Sequence, residues 1–297
     1  MSVSEANNVA DSASRAPVGA LHAGPQDGLR RAGLVRFGGP ATVSPGGGNV
    51  ERARGQNFLV ERVALQAGGQ AEFVCDDEMI VISQSSNLEL VWEDAAPVAL
   101  IPPCVAITPA GRSTLRAASS GDAIVISPVR DDATPPTLNA DEYASPDPRV
   151  RRLDPPARRK EDGVKVIAID EIQPPADKPR LRMLRSSSMS INWVKYSGPR
   201  NRRQLSPHSH ADFEQGSLAL AGDFVHHLRV PWGQDATSWE DDRHVQAPSA
   251  SLVVIPPGVI HTTEGVGEED HLLIDIFAPA RADFIERGWI ANAADYE

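Results

Sequence analysis

From Asn57 onward short apolar runs alternate with clusters of Gly, Asp, Asn and Ser. Residues 58–65, 72–74, 79–82, 88–92 and 123–126 are rich in Val, Ile, Leu and Phe, and their spacing is that of strands in a sandwich or barrel. No apolar pattern of helical period and useful length interrupts them. Near residue 129 the character changes, and residues 136–163, dense in proline and charge, read as an interdomain linker. Its basic cluster, Arg149, Arg151, Arg152, Arg158, Arg159 and Lys160, is interleaved with Asp147, Asp154, Glu161 and Asp162, the pattern of a solvated charge run. A second β-rich half starts at residues 164–169 and runs to the end, with a short helical turn expected over 283–288. Residues 1–50 lack a periodic apolar face and read as a flexible arm, within which 33–37 can add an edge strand to one of the domains. The expectation is an all-β protein: arm 1–50, barrel 51–135, linker 136–163, barrel 164–297.

At 297 residues the chain can bury two ordinary cores. A formal charge of −11 disfavours nucleic acid and anionic membranes as partners and leaves a small molecule as the expected one. Cys75 and Cys104 form no CxxC pair and read as small buried hydrophobes. The N-terminus lacks the basic start and apolar core of a signal peptide, and the apolar run 95–107 is too short to span a bilayer and is broken by Pro97, Pro102 and Pro103. A cytoplasmic location is the expectation.

The chemistry is concentrated in Pro207-His208-Ser209-His210-Ala211-Asp212-Phe213-Glu214 and in Pro256-Pro257-Gly258-Val259-Ile260-His261. On a strand, side chains alternate faces, so His208, His210 and Glu214 would point the same way, with His261 arriving from a neighbouring strand. Three imidazoles and a carboxylate suit one borderline divalent ion and leave an octahedral ion two open positions. Fe(II) is the first expectation, with Mn, Ni, Zn or Co as alternatives.

These residues resemble the two motifs of the cupin superfamily. The first is His-x-His, three or four residues, Glu and then Gly, here His208, His210, Glu214 and Gly222; the second is Pro-x-Gly-x2-His, here Pro256, Gly258 and His261. The interval from Glu214 to Gly222 is one residue longer than usual. The resemblance implies a jelly-roll β-barrel around the metal. A degenerate repeat extends it: Ile101-Pro102-Pro103 matches Ile255-Pro256-Pro257, and residues 123–132 match 274–283, as in a duplicated cupin, or bicupin. In that alignment Glu72, Val74 and Ile107 stand where the C-terminal half has His208, His210 and His261. The N-terminal barrel is therefore expected to bind no metal there and to serve packing, closure of the active barrel or homodimerisation.

Gly222-Asp223 reads as a two-residue hairpin turn. Pairing Ala221 with Phe224 would turn His227 and Arg229 into the cavity and His226 outward. His227 could then relay protons and Arg229 anchor a substrate carboxylate. The long connection 230–250 would cover the barrel mouth and bring Trp232 to the substrate. Arg200, Arg202 and Arg203, just before the histidines, could attract an anion. The function expected first is a mononuclear, dioxygenase-like metal enzyme acting on a small anionic or oxygen-rich molecule. The alternatives are a non-redox lyase, decarboxylase or isomerase, and a ligand-binding cupin without turnover.

Overall fold

The computed structural model describes residues 30–44, 46–131 and 134–297. Most of the expected arm, residues 1–29, lies outside the described residues. The described chain is almost entirely β, in antiparallel sheets of seven, six, four and three strands. In the N-terminal half the seven-stranded sheet runs Lys165–Ala168, Cys104–Thr108, Met79–Ser83, Gly121–Pro128, Phe58–Leu65, Asn49–Arg54, Thr42–Val43. It faces a four-stranded sheet of Gln70–Cys75, Gly111–Arg116, Leu88–Trp92 and Val98–Leu100. In the C-terminal half a six-stranded sheet, Gly33–Arg36, Ser251–Ile255, Gln215–Ala221, Asp270–Phe277, Ser190–Ser197, Leu181–Arg185, faces a three-stranded one of Arg243–Ala247, Asp223–Arg229 and Ile260–Val266.

Two segments cross between the halves. Gly33–Arg36 pairs with Ser251–Ile255 in the C-terminal sheet, the edge strand anticipated for 33–37. Lys165–Ala168, expected to open the second barrel, instead pairs with Cys104–Thr108 as an edge of the N-terminal sheet. The helical turn near the C-terminus is the helix Ala282–Glu286.

The apolar runs are continuous because the two large sheets are buried on both faces. Met79 and Val81 point into the N-terminal barrel with Leu65, Leu90 and Leu115, while Ile80 and Ile82 point the other way. There they meet Ile124 and Ile126 of their own sheet and Ile191, Trp193, Ile274 and Ile276 of the C-terminal one. The barrels are thus packed back to back on one shared core. Phe58, fully buried, lies in this interface, and a Cβ on Gly216 would come within 2.9 Å of its ring. The N-terminal barrel is itself filled by apolar side chains. Of the positions aligned with the histidines, Ile107 is buried and Glu72 and Val74 are exposed.

A buried polar junction joins the halves. Asp77 accepts from Ser187, from Ser188 Oγ (2.5 Å) and from Arg130 Nη2 (2.7 Å). Burial alone would raise its pKa, but those donors hold it below the usual carboxylate range. Glu78 accepts from Arg159 Nε (2.6 Å) and Tyr296 Oη (2.7 Å). Arg159, expected in a solvated run, is therefore buried against a carboxylate.

Because the core is shared, the halves should unfold in one transition. Phe58→Ala should lower the unfolding free energy by about 3–5 kcal/mol, measured by denaturant titration with tryptophan fluorescence and circular dichroism. Two separable transitions, one unmoved by the substitution, would show that the barrels are independent.

Candidate metal centre

The histidine stretch is not a strand. Residues 205–214 are irregular, with a bend at Ala211 and Asp212, and the strand begins at Gln215. His208 is held by a single bridge to His261: its N–H donates to the His261 carbonyl (3.0 Å), and its carbonyl accepts from the His261 N–H (2.7 Å). The Pro256-Pro257-Gly258 turn is tied to the same stretch by Gly258 N–H donating to the His210 carbonyl (2.8 Å), with Gly258 at φ +85°, a conformation glycine adopts without strain. These contacts bring His208, His210 and His261 together, with one ring nitrogen from each lying within 4.8 Å of the others.

Glu214 does not join them. The bend resets the alternation, so Gln215 turns inward and Glu214 turns to the opposite side. There Glu214, 2% exposed, accepts from Gln56 N–H (2.5 Å) and Tyr143 Oη (3.3 Å). Gln215 Oε1 instead lies 2.9 Å from His210 Nε2 and 3.2 Å from His261 Nε2. The sequence carried a signal for this: six residues counted back from Gly222 end after Gln215, which removes the extra residue in the motif.

Hydrogen bonding fixes where the lone pairs point. The Gln215 amide nitrogen donates to Ser217 Oγ (3.0 Å) and Asp275 Oδ1 (3.1 Å), which leaves Oε1 as the atom facing the imidazoles. His261 donates from Nδ1 to the Val259 carbonyl (3.0 Å), and His208 from Nδ1 to the Ser206 carbonyl (2.9 Å), so each keeps its lone pair on Nε2. Burial, then the neighbouring imidazoles, push His210 and His261 well below the ordinary histidine range, so both are neutral. His210 Nδ1 is buried without a hydrogen-bond partner. The His261 Nε2 lone pair lies 3.2 Å from Gln215 Oε1 in a desolvated site, and two such electron-rich atoms repel unless a cation lies beside them. Three imidazole nitrogens and one amide oxygen therefore fit a borderline divalent ion.

His208, His261 and Gln215 line a cavity of about 170 Å³ inside the barrel. Arg180, Tyr196 and Arg200 line it too. Burial, then the neighbouring Arg200, pulls Arg180 down to about 10, still charged at neutral pH. Arg180 and Arg200 approach the ring of Tyr196 at 5.4 and 5.9 Å, and among the described residues neither has a carboxylate partner. Arg200 was anticipated near the site. Gln215, Asp275, Arg180 and Tyr196 were not.

The hairpin reading fails. Gln215–Ala221 pairs with Ser251–Ile255 and Asp270–Phe277, whereas Asp223–Arg229 pairs with Arg243–Ala247 and Ile260–Val266. Gly222 passes the chain from one sheet to the other, and the inward face of Asp223–Arg229 is Phe224, His226 and Leu228, all buried. His227 and Arg229 lie on the outer face. Arg229 is 64% exposed and forms a two-point ion pair with Asp242 (2.8 and 2.6 Å). Trp232, 62% exposed, stacks on Trp239 at 4.5 Å and does not line the cavity.

No protein-family model and no curated protein matches the chain. Solved structures do. An oxalate decarboxylase from Lactobacillus farciminis, in a formate complex, matches with a TM-score of 0.59 and 12% identity over 87% of this chain and 88% of that one. AerE from Microcystis aeruginosa matches at 0.54 and 11% over 83% and 96%. Bacillus subtilis oxalate decarboxylase, a protein with Mn(II) centres, matches at 0.55 and 11% over 86% and 79%. At such identities the likeness concerns the fold: the chain has the cupin fold in its two-barrel, bicupin form. Among the described residues no helix is long and apolar enough to cross a membrane.

His210→Ala and Gln215→Ala should each remove most bound metal, and Asp275→Asn should weaken binding by about 10–100-fold by freeing the Gln215 amide. Glu214→Gln should retain full stoichiometry. Elemental analysis of the purified variants checks this; loss of metal in Glu214→Gln with retention in Gln215→Ala would reverse the assignment.

Proposed function

We propose that this protein is a metal-dependent, non-redox cupin enzyme of the lyase class that removes a carboxyl group from a small anionic substrate. The observation that carries the reading is the convergence of imidazole and amide lone pairs on the wall of a cavity that also presents two arginines without carboxylate partners among the described residues. His208, His210, His261 and Gln215 would hold one divalent ion. When bound, that ion would supply Lewis-acid stabilisation of negative charge developing on a substrate oxygen.

The ligand set is neutral, which leaves the ion's double charge undiminished and favours that role. An anionic carboxylate ligand would better support the higher oxidation state that oxygen chemistry requires, and Glu214 is turned away. The oxalate decarboxylases among the fold neighbours likewise favour decarboxylation over the oxygenase expectation. Manganese takes the place of iron as the expected ion, in keeping with the Mn(II) centres of the Bacillus protein.

Arg180 and Arg200 would bind the substrate's carboxylate through charge-assisted contacts. This is the part first assigned to Arg229. Burial raises the Tyr196 phenol above its ordinary range, and Arg200 hydrogen-bonds to its oxygen. Burial thus keeps the proton against the opposing pull of Arg200 and Arg180, and the phenol would deliver it to the carbon that loses carbon dioxide, with solvent restoring it. Asp275 is engaged by Gln215, Ser217 and Asn192, so the cavity offers positioning and charge stabilisation more than a strong base.

Turnover of small mono- and dicarboxylic acids should release carbon dioxide without oxygen uptake, followed together by a coupled carbon dioxide assay and an oxygen electrode. Stoichiometric oxygen consumption would instead establish the oxygenase reading. Arg180→Met should raise KM by about tenfold or more with metal content unchanged. Arg229→Met should leave KM unaltered.

A further inference from the structure

We propose that His227 and His244 form a second, independent transition-metal site on the outer face of the C-terminal barrel. The two residues sit directly opposite each other on Asp223–Arg229 and Arg243–Ala247, and their Nδ1 atoms are 2.7 Å apart. Two imidazoles so placed form a cross-strand pair that shares a proton or, with slight opening, a metal ion. The strand positions are fixed by backbone pairing on both sides, because Asp223–Arg229 is the middle strand of its sheet. The chelating geometry is therefore preorganised.

The second observation is the support behind His227. Its Nε2 lies 2.9 Å from Glu264 Oε2, and Glu264 is 8% exposed on the adjacent strand. The carboxylate accepts from Nε2–H and leaves the His227 lone pair on Nδ1, facing His244. A carboxylate orienting one nitrogen while the other meets the ion is the usual outer support of metal-bound histidine. Glu264 is itself steadied by Arg202 Nε at 3.1 Å.

The third observation is space. His227 and His244 line a cavity of about 200 Å³ with Pro207, Thr262, Arg229 and Asp242, room for waters that complete the coordination. Asp242 and Arg229 are committed to each other, so the protein donors are two neutral imidazoles. Nitrogen donors of this kind suit copper, nickel and zinc. Binding would move the proton on His244 Nδ1 to its Nε2 through solvent, so that both Nδ1 lone pairs face the ion and no net proton is released.

The test is calorimetric titration of Zn²⁺ into the full chain after chelator treatment and dialysis. Wild type should show two classes, one equivalent each. His244→Ala and His227→Gln should each remove the weaker class and keep the tighter one. His210→Ala should do the opposite, which makes failure of this inference distinguishable from failure of the interior site. Glu264→Gln should weaken the outer class by about 10–100-fold, and Cu²⁺ should bind it more tightly than Zn²⁺. Circular dichroism would verify that the variants are folded. Absence of the weaker class in wild type, or its persistence in folded His244→Ala protein, would overturn the proposal.

Discussion

Burial of the two large sheets against each other is the constraint on which the rest of the molecule depends. Neither sheet can leave its inner face to solvent, because Ile80, Ile82, Ile191, Trp193, Ile274 and Ile276 have no other cover. Each such side chain contributes about 1.5–3 kcal/mol when removed from water. Gln215–Ala221 and Asp270–Phe277 belong to that packed sheet and are paired with each other, which places Ser217 opposite Asp275. The amide of Gln215 is therefore oriented by a carboxylate from a strand that cannot move. The site's precision descends from the interface between barrels, and the N-terminal half, its own barrel filled by apolar side chains, contributes as a packing partner.

Much of the fold was legible because strand burial writes itself into sequence. Continuous runs such as Met79–Ser83 announce strands covered on both faces, and the punctuation by Gly, Asp and Ser announces the turns. Which half each short edge strand joins was not legible. Lys165–Ala168 and Gly33–Arg36 carry no local mark of the sheet they complete, since that depends on which edge is left open. The three histidines were readable from spacing alone, because the backbone bridge between His208 and His261 brings their two motifs together.

The errors have a common origin in assuming unbroken strand periodicity. A single bend at Ala211 and Asp212 exchanged Glu214 for Gln215, and a change of sheet at Gly222 exchanged the faces of His226 and His227. Arg229 followed the same error to the outside of the barrel. Alternation is reliable within a strand and carries no information across an irregular residue, so motif spacing, which counted back from Gly222 to Gln215, was the better guide. Arg180 and Tyr196 are brought to the cavity only by tertiary packing, and nothing in their local sequence distinguishes them from surface residues.

The central claim is that a neutral set of three imidazoles and one amide, backed by Asp275, holds the ion that the chemistry needs. It is tested most directly by a crystal structure of the Mn²⁺-loaded protein with anomalous difference maps. The account requires one interior peak within coordinating distance of His208, His210, His261 and Gln215 Oε1, with Glu214 still bonded to Gln56 and Tyr143. A peak ligated by Glu214, or an interior cavity without any peak after loading, would contradict it.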